Sequence, residues 1–168
     1  MVGSPLLVAT PIMDKDPEYF CVRKEKAERI FFAQKSIYCP YFGVHIMLNS
    51  DGFHHLQFSN RRERDKNEQL LKFRLLPRAL EIIRKSGTIQ EYRKLLMPVG
   101  KPSARDGSVA MKLVEYWGMV AIVGDNGVKV RTIVRKIGEG NIIFWSVMPD
   151  SKIRRGKQNV FTAGIEDE

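Results

Sequence analysis

Two short turn signals divide the last third of the chain and restrict it to an antiparallel sheet. Asn126-Gly127 and Glu139-Gly140 each separate runs rich in Val, Ile and aromatic residues. Asn-Gly is the dipeptide best suited to a two-residue hairpin, because both turn positions need positive φ. Three strands are expected, over about 110–124, 128–138 and 141–149. With two residues in each loop, Val123 faces Val130, Ala121 faces Thr132 and Met119 faces Val134. Across the second hairpin, Val147 faces Thr132 and Trp145 faces Val134. Side chains alternate along a strand, so this apolar face should pack on helices, with Trp117 and Trp145 in the core. The other face then carries Tyr116, Lys129, Arg131, Ile133, Arg135, Phe144 and Ser146. A one-residue slip in either turn would exchange the faces.

Upstream signals point to short helices. Residues 1–33 read as an amino-terminal arm, broken by Pro5, Pro11 and Pro17, that ends in a short helix or a strand over 22–33. Gly43 to Leu48 reads as a strand, and Asn49-Ser50-Asp51-Gly52 offers cap residues for a helix over Phe53 to Ser59. Leu76, Leu80 and Ile83 recur at helical spacing, and Pro77 is expected to split that stretch in two. Thr88-Ile89-Gln90-Glu91 is a capping box that predicts another short helix through Leu96. A loop follows over 97–109, and residues 151–168 read as a basic-then-acidic tail. The expected fold class is α+β: short helices packed on one face of a carboxy-terminal antiparallel β-meander. Residues 34–150 form its basic domain.

Charge narrows the partner. The formal net charge is +9, which favours a polyanion. Residues 1–60 are neutral overall, whereas 61–106 hold 13 Lys/Arg against 6 Asp/Glu. Aromatic and guanidinium groups sharing one sheet face suit nucleic acid, since rings stack on bases and guanidiniums hold phosphates. RNA is the expected ligand. No apolar run reaches membrane length and no secretory signal is visible, so a cytoplasmic protein with no membrane partner is expected. Cys21 and Cys39 show no metal-ligand spacing, nor do the three histidines. No metal or cofactor is expected.

The order strand, His-bearing helix, charged helical region and antiparallel meander resembles the barnase–EndoU–colicin–RelE nuclease superfamily. Its phage-associated and small bacterial members look most similar. The segments VHIMLNSDGFHHLQFSNRR and VKVRTIVRKIGEGNIIFWSVMP carry the resemblance. It implies a histidine in the early helix, His54 or His55, working with Ser146 near the last strand. It also implies a toxin-like endoribonuclease, held in check by a protein inhibitor or antitoxin.

The chemistry of such an enzyme is simple. RNA supplies its own nucleophile, the 2′-hydroxyl. Histidine suits the proton transfers because its pKa is near neutral, and arginine suits the charge that builds on the phosphate. His55 is the expected acid or base, with His54 as the alternative, since adjacent helical residues point about 100° apart. Arg131 and Arg135 are expected to clamp the phosphate, with Ser146 as a hydrogen-bond donor. Lys129, Arg62 and Lys66 would extend the phosphate track, and Tyr116 would stack on a base. Two other expectations use the same surface without catalysis: a nucleic-acid-binding module, or an inhibitor domain whose basic face docks on an acidic protein.

Overall fold

A computed structural model describes residues 16–59, 62–125 and 127–150. The first fifteen residues of the expected arm, the expected tail and Asn126 lie outside the described residues. The fold is α+β, with three helices on one face of a six-stranded, mostly antiparallel sheet. Strands are β1 (Ser36–Cys39), β2 (Val44–Met47), β3 (Glu91–Pro98), β4 (Met111–Val123), β5 (Val128–Ile137) and β6 (Ile142–Pro149), in spatial order β1-β2-β6-β5-β4-β3. The last four form a meander, of which the turn signals indicate the last three strands.

Local chemistry starts each helix. Helix α1 (Pro17–Phe32) has Asp16 as its cap and proline at its first position. It buries Ala27 and Phe31 in the main core, so the end of the expected arm is an integral helix. Helix α2 (Ser50–Gln57) opens on Asn49, whose side chain accepts from the Gly52 amide. Helix α3 (Lys66–Lys85) is capped by Asp65 and runs unbroken through Pro77, where a split was expected. An interior proline costs about 3 kcal/mol. Phe73, Leu75, Leu76, Ala79, Leu80, Ile82 and Ile83 are buried around it. At about 1.5–3 kcal/mol for each large side chain, that burial exceeds the cost.

The expected helix over 88–96 is instead β3. A helix of about nine residues is marginal alone, whereas β3 pairs with β4 along eight positions. A residue inside the box is redirected: Gln90 accepts from the Val120 amide at 2.6 Å, just beyond the ladder.

Both hairpin registers differ from two-residue loops. Val123 pairs with Val128 across four turn residues, and Gly124 and Gly127 both have positive φ. Pairing therefore shifts by two, which keeps the faces assigned to β4 and β5: Met119 faces Thr132 and Trp117 faces Val134. In the second hairpin Thr132 pairs with Val147 and Ile133 with Ser146 as expected, but a β-bulge follows and Val134 pairs with Phe144. The extra residue reverses two assignments. Phe144 enters the core under the helices, while Trp145 joins Val114, Tyr116 and Ile133 in a second cluster on the opposite face.

Candidate functional site

The bulge in β6 organises the site. Strand β2 pairs with β6 only at Met47 and Ile143, so the rest of that edge is left to helices. Helix α2 lies against the bulge so closely that a Cβ on Gly52 would sit 2.2 Å from the Phe144 carbonyl oxygen. From α3, Lys72 donates to the Val147 carbonyl at 2.9 Å and to Ser146 Oγ at 3.1 Å. A buried ammonium thus occupies the place of a missing strand partner. Ser146 is completely buried.

His55 is buried beside it. Arg64 donates through Nε to the His55 carbonyl at 3.1 Å and lies 3.3 Å from His55 Nε2 through a terminal nitrogen. Arginine can only donate, so Nε2 accepts and the ring proton sits on Nδ1. Arg64 is itself held by Glu68 at 2.6 Å. Burial, then the charges of Arg64, Lys72, Arg135 and His54, push the His55 imidazole down to about 2. His55 is therefore neutral across the physiological range. His54 is exposed and stacks on Phe58 with ring centres 4.4 Å apart.

The expected phosphate ligands divide into paired and unpaired groups. Arg131 binds both Glu91 and Asp150, at 2.9 and 2.8 Å, and Lys129 binds Asp150 at 2.9 Å. Burial raises the Asp150 carboxyl, but hydrogen bonds and charge from Lys129 and Arg131 outweigh it and hold it below its ordinary range. Arg62 contacts Glu68 and Lys66 contacts Glu63, each at 3.4 Å. Tyr116 is fully buried, its hydroxyl against the Met97 sulfur, so its ring is not offered to a base.

Arg135 differs from all of these. Its guanidinium carbon lies 3.3 Å from the centre of the Trp145 ring, and no carboxylate partners it among the described residues. The same indole stacks on His55 at 4.0 Å. Arg135 Nε and Trp145 Nε1 are both buried donors with no acceptor among the described residues.

Register carries this face toward the β1–β2 hairpin. Arg135 pairs with Ile143, Ile143 with Met47, and Met47 with Ser36. Met47 thus stands roughly 10 Å from Arg135, two strand spacings away. Two residues further along the hairpin, Tyr38 faces His45, with ring centres 5.7 Å apart. His45 Nδ1 lies 3.1 Å from Ser36 Oγ, and Tyr38 is 50% exposed. The structure thus brings Arg135, Trp145, His55 and Ser146 around one bulge. It leaves His54 outside and withdraws Arg131 and Lys129 into ion pairs. His45, Arg64 and Lys72 had not been singled out from sequence. His45 was legible, since it alternates with buried Ile46 and so must face away from the helices. Arg64 and Lys72 carry no such signal, because only tertiary packing buries them.

Comparison with protein-family models, with curated proteins and with solved structures finds no match. No helix among the described residues is long and apolar enough to cross a membrane. No cluster of His, Cys, Asp and Glu suited to a metal ion occurs among them either.

Proposed function

We propose that the chain binds single-stranded RNA on the sheet face opposite the helices and holds it without cutting it. Arg135 carries the reading. It is a guanidinium with no carboxylate partner among the described residues, held over an indole, and its Nε, the indole Nε1 and Arg131 Nε are buried N–H donors that lack acceptors there. Arg135 is only half-buried, so its guanidinium can meet a phosphate or base oxygen. Exposed Tyr38, further along the face, offers a ring for a base to stack on. The net charge of +9 gives the long-range attraction. The segments that resemble a nuclease superfamily are compatible with an RNA ligand.

Cleavage through His55 has less support. A general base works best with a pKa near the operating pH, and this imidazole is buried, neutral and committed to Arg64. The test is fluorescence anisotropy with a labelled single-stranded RNA across a salt series, with EDTA present and RNA length checked afterwards. Affinity should fall steeply with salt, and Arg135→Ala should weaken it about tenfold while the RNA stays intact. Flat salt dependence, or full affinity in the Arg135→Ala and Tyr38→Ala variants, would remove the reading. RNA cut by wild type but not by His55→Ala would replace it with the nuclease.

A further inference from the structure

On the opposite side of the molecule, α1 and α3 enclose a groove of about 180 Å³. Helical geometry decides its charge. At 100° per residue, Tyr19, Arg23, Lys26, Ala27 and Ile30 share one arc of α1, whereas Glu18, Glu25 and Glu28 fall on the far side. A helix with almost no net charge thus presents only cations to α3, which adds Arg74. Arg23, Lys26 and Arg74 are exposed, none forms an ion pair among the described residues, and no carboxylate lines the groove. Arg23 lies over the Tyr19 ring, 5.1 Å from its centre. The floor is apolar, built from Ile30, Leu70, Phe73 and Pro77.

Three cations with no counter-charge among the described residues, above an apolar floor, define a ligand with one strongly anionic end and one apolar or ring-bearing part. A phosphodiester carries one negative charge, while a phosphomonoester carries about −1.5 to −2 at neutral pH and three strong acceptor oxygens. Guanidiniums match those oxygens in pairs, and Lys26 adds a point charge. The groove is smaller than most drug-sized pockets, so it suits a headgroup-sized ligand rather than a duplex.

We infer that the α1–α3 groove is a phosphomonoester site. Arg23, Lys26 and Arg74 hold the phosphate, and the apolar floor takes the group it is attached to. The site is independent of Arg135 and the sheet face. Its ligand is a nucleoside monophosphate, either free or as the phosphorylated end of an RNA.

Calorimetric titration of the full chain with AMP, with adenosine and with inorganic phosphate tests the inference. So does binding of one short RNA with a 5′-phosphate and with a 5′-hydroxyl. AMP should bind more tightly than inorganic phosphate, with adenosine showing no binding. Arg23→Ala and Arg74→Ala, both at exposed positions, should each weaken AMP about tenfold without lowering the melting temperature. Arg135→Ala should leave AMP binding unchanged, which separates this site from the sheet face. A 5′-phosphate that raises RNA affinity only when Arg74 is present assigns the ligand to an RNA end. AMP binding with no such gain assigns it to the free nucleotide. Adenosine binding as well as AMP, absence of AMP binding at millimolar concentration, or AMP binding indifferent to both arginine variants would overturn the inference.

Discussion

The guanidinium carbon of Arg135 lies 3.3 Å from the centre of the Trp145 ring, and that contact depends on one bulged residue in β6. Without the bulge, Trp145 would point under the helices and Arg135 would have no platform. The pair makes a prediction that charge alone does not. Arg135→Lys keeps the charge but loses the planar group that stacks and donates in parallel. We expect RNA affinity in Arg135→Lys to fall severalfold, between wild type and Arg135→Ala, with intrinsic Trp fluorescence altered in both variants. Equal affinity for the Lys and wild-type proteins would reduce Arg135 to a point charge.

His55 should make the fold acid-sensitive. Its folded pKa is lowered from 6.5 to about 2. The unfolded chain therefore gains a proton below 6.5 that the folded chain refuses. The stability linked to this group is complete above pH 6.5 and declines as the pH falls toward 2. Each pH unit in that window is worth about 1.4 kcal/mol at most. Urea unfolding at pH 7 and at about pH 5 should show wild type losing about 1–2 kcal/mol more than His55→Gln. Equal losses would mean that His55 is protonated without penalty.

Gly52 is required by its closeness to the bulge, not by backbone conformation. A Cβ there would stand 2.2 Å from the backbone oxygen of Phe144, and backbone cannot swing aside as a side-chain tip can. Gly52→Ala should destabilise by about 2–4 kcal/mol despite alanine's better helix propensity. Gly87→Ala, where nothing lies within 4 Å of the added carbon, is the control and should change stability little. Denaturant midpoints of the two variants check this directly.

The parts of the fold that were legible in the sequence are those fixed by local chemistry. Asn49 caps α2, and the two turn regions separate the last three strands of the meander. Residues 88–96 were misread because a capping box is a local signal, and eight ladder positions beside β4 outweigh it. Pro77 was misread in the same way, since the burial around it holds α3 together. The faces of β4 and β5 survived a register error because the shift was even, whereas the single extra residue in β6 exchanged Phe144 and Trp145. The site shows the same limit. Arg131 looks free in sequence, but Glu91 reaches it only because β3 is a strand, and Asp150 only because the chain continues past β6.

Lys72 separates stability from binding. Its ammonium is buried, 3% exposed, and donates to the Val147 carbonyl and Ser146 Oγ on the edge that β2 does not cover. Lys72→Met keeps the length and apolar stem but removes the donor. The Val147 carbonyl and the serine hydroxyl then lose this partner, and an unsatisfied buried polar group costs about 1–3 kcal/mol. We expect the variant to lose about 2–4 kcal/mol of unfolding free energy, because two groups are affected. Ser146→Ala, which leaves Lys72 its bond to Val147, should cost less. If Lys72 serves the fold alone, RNA affinity measured well below the variant's melting temperature stays at the wild-type value. A Lys72→Met protein that is fully stable yet fails to bind RNA would move this lysine from the frame of the molecule into its binding site.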